Sequence, residues 1–269
     1  MKVGYMTNAW GSVAGHPGGV TSIKDLFYIS TGDDEQAIRE ISKAGFEFIE
    51  IFDGNLMAYA ANPSKFSDML SKYNVKLLAV YTGADFIYDE IRVEEFFKMK
   101  QAMQLAKQFG AKHICIGGGA IRSTGIVDED YIKLAKGLDD AMDMSGDMGL
   151  VASYHPHLGT CVQSPDQLDK LMPLTKINLC PDCGHIAAGG GDPVEVVKKY
   201  KDRIQYLHLK DYKDGGFYPL GMGNIDFKQI ISILSNNAVK VDYTVEADGY
   251  AGSPEEAAKV SYEYLSEIL

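Results

Sequence analysis

Apolar residues gather in eight short runs along the chain: Lys2–Thr7, Glu47–Phe52, Lys76–Tyr81, His113–Gly117, Leu150–Tyr154, Lys176–Pro181, Ile204–Leu209 and Asp242–Glu246. Short apolar runs of this kind predict strands buried on both faces. Between them the apolar spacing changes to that of a helix. From Val93 to Phe109 it recurs at 96, 99, 103 and 106 and again at 102, 105 and 109, a wide stripe that Gly110 ends. Asn62-Pro63 and Asp192-Pro193 each place a cap before a proline in the first helical turn. Ser164-Pro165-Asp166-Gln167 and Ser253-Pro254-Glu255-Glu256 have the form of capping boxes. The alternation runs through residues 1–269 without a linker or a composition break, which predicts one domain. Eight strands, each followed by a helix, is the count of a single (β/α)₈ TIM barrel, an α/β fold. A doubly wound sheet would carry a glycine-rich loop after its first strand, where this chain reads Thr7-Asn8-Ala9-Trp10-Gly11.

A barrel does its chemistry where strands end and the next loops begin. At the last four such places stand Tyr154-His155-Pro156-His157, Asp182-Cys183-Gly184-His185, His208-Leu209-Lys210-Asp211 and Glu246-Ala247-Asp248. Four of the six histidines fall there. Any one of these residues has a plain structural reading, as a satisfied core histidine, a turn cap or a lysine partner. Two imidazoles and two carboxylates converging at one mouth form a mixed nitrogen and oxygen site, suited to Mn²⁺, Co²⁺, Fe²⁺, Mg²⁺ or Zn²⁺.

The composition narrows the partners. With 46% hydrophobic and 23% charged residues the chain reads as a globular protein, and a net charge of -11 disfavours nucleic acid and anionic membrane surfaces. Met1-Lys2-Val3-Gly4-Tyr5 starts directly in strand-like sequence, without the sections of a signal peptide, and no apolar run reaches the ~18 residues of a membrane span. The expected location is the cytoplasm. Cys180 and Cys183 form a C-x-x-C, but no second pair completes a zinc site.

The motifs Tyr154-His155-Pro156-His157-Leu158-Gly159-Thr160, Asp182-Cys183-Gly184-His185, Gly190-Gly191-Asp192-Pro193 and His208-Leu209-Lys210-Asp211, followed by Leu220-Gly221-Met222-Gly223-Asn224-Ile225-Asp226-Phe227, resemble the xylose-isomerase-like barrel superfamily of sugar isomerases and epimerases. Within it the sequence is most similar to inosose (2-keto-myo-inositol) dehydratases. The resemblance implies one divalent metal, Mn²⁺ first among the candidates, held by His155, Asp182, His208 and Glu246. A two-residue shift would make His157 the fifth-strand ligand instead. His185 would touch the substrate, and Lys210 would neutralise charge on a substrate oxygen. Two departures stand out. The family's epimerases usually have glutamate where this chain has His155, and threonine where it has Cys183.

Such a metal acidifies the C–H beside a ketone. A histidine near neutrality takes the proton and a second acid protonates the leaving group. The expected chemistry is therefore β-elimination on a keto-cyclitol, keto-sugar or keto-glycoside, with His157, His185 and Glu246 as proton carriers. A ketose 3-epimerase or isomerase is the alternative within enzymes, and a sugar-binding partner subunit the alternative outside them. A homo-oligomer or a complex with a second subunit is the expected assembly. A DNA-repair nuclease would need histidines at the ends of strands two and three, which read Phe52-Asp53-Gly54 and Tyr81-Thr82-Gly83, and His113 begins its strand rather than ending it. Gly117-Gly118-Gly119 and Gly189-Gly190-Gly191 are expected as turns more than as phosphate cradles. Trp10 is a candidate platform for a sugar face. Phe86 and Tyr88 are candidate pocket walls, and Asp85 and Asp89 candidates for hydroxyl recognition; each of these also reads as core filling or solvated loop charge.

Overall fold

A computed structural model describes residues 1–11, 27–238, 240–247 and 250–269. The predicted runs become the strands β1 (Val3–Met6), β2 (Phe48–Phe52), β3 (Lys76–Ala84), β4 (His113–Gly118), β5 (Val151–Tyr154), β6 (Asn178–Leu179) and β7 (Tyr206–Leu209). A hairpin of β8 (Asp211–Lys213) and β9 (Gly216–Tyr218) follows, and β10 (Asp242–Val245) is the eighth barrel strand. All eight barrel strands run parallel, in the order β6-β5-β4-β3-β2-β1-β10-β7. Two isolated parallel bridges, Leu179 to Ile204 and Asp182 to His208, close the ring between β6 and β7. The molecule is a (β/α)₈ barrel.

Ten helices among the described residues form the outer layer: α1 (Asp34–Ala44), α2 (Asp53–Met57), α3 (Pro63–Lys72), α4 (Arg92–Gln108), α5 (Asp128–Asp147), α6 (Pro165–Leu171), α7 (Cys183–Ala188), α8 (Pro193–Tyr200), α9 (Phe227–Ser235) and α10 (Pro254–Ile268). The capping signals hold at three of four places. Ser164 makes both halves of its box, Asp192 accepts from the Val194 N–H, and Ser253 accepts from the Glu256 N–H. Asn62 precedes α3 without a side-chain cap, because its oxygen accepts from the Ser64 hydroxyl instead.

Period-two alternation sorts each strand between two layers. On β7, Leu207 and Leu209 join the apolar shell under the helices, whereas Tyr206 and His208 face the barrel interior. The inner faces are not purely apolar, as the runs alone predict. Glu50, His113, Ser153, Asp242 and Thr244 are all buried. A side chain buried with its charge needs partners, and across the barrel Glu50 meets His208 and His113 meets Asp242.

Candidate active site

The four strand ends build the site. His155 follows β5, and its N–H donates to the Ile116 carbonyl at 2.7 Å. Asp182 follows β6 and caps α7, accepting from the His185 N–H at 2.8 Å. His208 lies within β7, and the N–H of Glu246, just past β10, donates to the Leu209 carbonyl at 3.0 Å. This backbone registry aims four buried side chains at one point. One ligating atom from each of His155, Asp182, His208 and Glu246 lies within 4.8 Å of every other. His208 Nδ1 is 2.9 Å from Glu246 Oε2 and 4.0 Å from Asp182 Oδ2, and His155 Nε2 is 3.9 Å from Asp182 Oδ2. His157 does not join this group. It stands with His155 and His185 in a neighbouring set of three imidazoles.

Lys210, just past β7, closes the mouth. Its ammonium is 3.0 Å from Asp182 Oδ2, 3.2 Å from Glu246 Oε2 and 2.9 Å from His185 Nε2. His157 is anchored through Nδ1 to the Leu158 carbonyl at 2.6 Å, and its ring centroid lies 3.7 Å from that of His185. Phe217, on the β8–β9 hairpin, lies edge-on to His185 and under the Lys210 ammonium at 5.1 Å. The hairpin, absent from the expected elements, therefore places an apolar ring beside the polar cluster. Asp211 shapes the loop after it by accepting the N–H groups of Tyr212, Gly221, Gly223 and Ile225.

The electrostatics of the cluster are uneven. Burial pushes the Asp182 carboxyl up to about 6 against the pull of Lys210, with Glu246 adding to the rise. Glu246 behaves oppositely. Burial alone would raise it, but Lys210 and His208 hold it well below the usual carboxylate range. Burial, then the charge of Lys210, lowers His185 far below an ordinary histidine, and burial with the charge of His208 does the same to His155. Burial also opposes the charged form of His208, yet Glu50 and its other acceptors raise it well above the ordinary value. The mouth thus favours the neutral form at His155 and His185 and the charged form at His208, beside carboxylates.

Several participants escaped the strand-end rule. Asn8 Nδ2 donates to Glu246 Oε1 at 3.0 Å. Glu50, in the middle of β2, reaches His208 Nε2 at 3.0 Å and takes the Tyr206 hydroxyl, which also meets Thr244 Oγ1. The thiols of Cys115 and Cys180 lie 3.8 Å apart beneath His208. The only sequence signal for Glu50 is a carboxylate inside the run Phe48-Ile49-Glu50-Ile51-Phe52.

Other candidates lie elsewhere. Trp10 ends the 3₁₀ turn that also carries Asn8: its indole nitrogen donates to Glu40 of α1 and its ring is edge-on to Tyr5 of the apolar shell. Phe86 is buried in the same shell against Phe96, and Tyr88 lies under the Arg122 guanidinium. Asp89 is a surface partner of Lys133 and Arg92, and burial raises the Asp85 carboxyl. Cys180 faces the barrel interior while Cys183 faces the shell, so the C-x-x-C does not converge. A Cβ at Gly118 would meet the Ala84 carbonyl at 1.9 Å and one at Gly189 the Gln163 carbonyl at 2.0 Å; both glycines allow close backbone passage. Asp248 lies outside the described residues.

The cluster suits a divalent cation. Two imidazoles and two carboxylates are a balanced donor set for such an ion, and these two carboxylates already share one positive charge, the Lys210 ammonium. Asp182 Oδ2, the oxygen that faces His155, His208 and Lys210, is buried without a hydrogen bond among the described residues, so an acceptor inside the cluster is left incomplete by the protein's own groups.

Known proteins agree with this architecture. Residues 38–268 match the profile of the family described as Xylose isomerase-like TIM barrel. An inosose dehydratase of Geobacillus kaustophilus (strain HTA426) is 28% identical over 277 residues, covering 87% of each chain. One from Clostridium botulinum (strain Alaska E43 / Type E3) is 30% identical over 272 residues, covering 87% of this chain and 89% of its own. Among solved structures, a probable 3-DHS dehydratase involved in petrobactin synthesis from Bacillus anthracis has a TM-score of 0.75 at 15% identity, covering 99% of both chains. An IOLI protein with a zinc atom has a TM-score of 0.73 at 19% identity, covering 100% of this chain and 98% of that one. A barrel from Mycobacterium smegmatis in complex with magnesium has a TM-score of 0.73 at 18% identity, covering 99% of this chain and 96% of that one. With the ring of eight parallel strands and the extent of the profile match, this chain belongs to the xylose isomerase-like TIM barrel family.

Proposed function

We propose that this barrel is a metal-dependent lyase that abstracts the proton beside a ketone and expels a β substituent from a keto-cyclitol or keto-sugar. The observation that carries the reading is the convergence of His155, Asp182, His208 and Glu246 on one point, with His185 and Lys210 beside it. The relatives named inosose dehydratase support it, since they match over 87% of this chain. So does the imidazole of His155 where epimerases of the resembling family have a glutamate.

A divalent cation in that donor set, Mn²⁺ as first choice, supplies Lewis-acid polarisation of the ketone oxygen. The protein's own groups do the proton transfers. His185 is buried and neutral, so its Nε2, which now accepts from Lys210, has the lone pair that takes the α proton. Lys210, turned toward the substrate, donates to the oxygen on which negative charge develops. His157, its Nδ1–H fixed on the Leu158 carbonyl, enters the cycle as the imidazolium; its Nε2 proton goes to the departing hydroxyl, and the proton held by His185 after the abstraction restores it across the adjoining ring. The C–H pair becomes the new double bond, the C–O bond breaks, and water leaves without any redox change. Phe217 beside His185 limits water at the base.

The test is proton NMR in D₂O with a keto-inositol and a panel of ketoses, with and without Mn²⁺. The reading expects metal-dependent α-deuterium incorporation together with an unsaturated or dione product. Clean interconversion of two stereoisomers would make the protein an epimerase. Binding without exchange under either condition would make it a non-catalytic sugar-binding subunit.

A further inference from the structure

His208 is held from both sides. Its Nδ1 faces Glu246 at 2.9 Å and Asp182 at 4.0 Å, while its Nε2 faces Glu50 at 3.0 Å. A neutral imidazole has one protonated nitrogen and one lone pair. To lend Nδ1 to a cation, His208 must keep its proton on Nε2. Without a strong acceptor there, the proton would be free to sit on Nδ1 and bond Glu246, which would remove the ring from the donor set.

We propose that Glu50 is the positioning residue that holds His208 in its Nε2–H form and so keeps Nδ1 open to the cation. The inference rests on the metal-lyase reading above. Glu50 is fully buried on β2, 158 residues before His208, and Tyr206 donates its hydroxyl to the same carboxylate oxygen that faces His208. The Tyr206 hydroxyl in turn meets Thr244, so the carboxylate is braced rather than loosely placed. The strand pairing also shifts register between Ile49 and Glu50, an irregularity of the kind that re-aims side chains beside functional sites. Its second oxygen, Oε1, has no hydrogen-bond partner among the described residues. A buried carboxylate with an unpaired oxygen is expensive for folding alone, so packing by itself gives no reason for it. Cys115 Sγ, at 3.7 Å from Nε2, is a weaker acceptor for that proton.

The experiment measures Mn²⁺ affinity of the metal-free protein by calorimetry and the ring nitrogens of His208 by ¹⁵N NMR after zinc loading. Glu50→Ala should weaken Mn²⁺ about 10–100-fold, the usual effect of removing such a partner. Glu50→Gln, whose amide oxygen can take the place of Oε2, should restore affinity to within about threefold of wild type. In the zinc-loaded wild type His208 should be metallated at Nδ1 and protonated at Nε2. Equal affinity in wild type and Glu50→Ala overturns the proposal while leaving the lyase reading intact, and so does zinc on Nε2. The wild-type spectrum decides even where Glu50→Ala fails to fold. A wild type that binds neither metal overturns both.

Discussion

The barrel holds two polar clusters on one axis, and they are opposites. At the floor, Asp242 accepts the Lys2 N–H at 2.8 Å, the Lys112 ammonium at 2.7 Å and His113 Nε2 at 3.0 Å. Burial would raise its carboxyl, but the bonds from His113, Lys112 and Lys2 hold it down to about 2. At the mouth, Asp182 is pushed up to about 6, and carboxylate oxygens of Asp182 and Glu50 lack hydrogen-bond partners among the described residues, whereas an unpartnered imidazole nitrogen occurs at both ends, on His113 as on His155 and His185. Tyr206 joins the two, stacked on His113 with centroids 4.5 Å apart and bonded to Glu50. Both ends contain aspartate, histidine and lysine. What separates a structural clamp from a reactive site is the balance of donors and acceptors: the floor satisfies its single carboxylate, and the mouth crowds acids and imidazoles around one ammonium.

The largest effect should come from the mouth. Asp182→Asn, which keeps an oxygen to cap α7, and His208→Ala should each lose metal retention and lower turnover by about 10³-fold, a loss of several kcal/mol of transition-state stabilisation. Their far-UV circular dichroism should match wild type. Elemental analysis showing wild-type metal content in both variants would remove the metal from the mouth and the contrast with it.

Asp242→Asn should do the reverse. It weakens charge-assisted bonds worth about 2–3 kcal/mol, read as a lower urea midpoint, and leaves turnover within about twofold. Loss of turnover at unchanged stability would mean that the floor serves the chemistry. The smallest effect is the pH dependence of that clamp. A carboxyl held below its unfolded value stabilises the fold fully above about pH 4 and loses that contribution as the pH falls through about 2. The contribution at neutral pH is about 2 kcal/mol. Acid titration of stability should show this drop in wild type and a flatter curve in Asp242→Asn; parallel curves would assign the clamp elsewhere.

The eight strands and the four strand-end residues were legible because two periodicities and one rule of barrel anatomy locate them without coordinates. Glu50 was not, because the rule looks at strand ends and Glu50 lies mid-strand. Trp10 was placed by the same rule; in the structure it is half-buried at the end of the 3₁₀ turn after β1, donating to Glu40 and packed edge-on against Tyr5. The β8–β9 hairpin was missed because Asp211–Tyr218 follows the strand end where a loop is expected. Residue order by itself determined which side chains reach the mouth of the barrel, since a strand's length and its alternation are local properties. Which of them meet was decided by the closed ring alone. Strand tilt and register bring His208 over Glu50 from across the barrel and leave His157 beside His185 rather than among the ligands, and those distances exist only once the last strand pairs with the first.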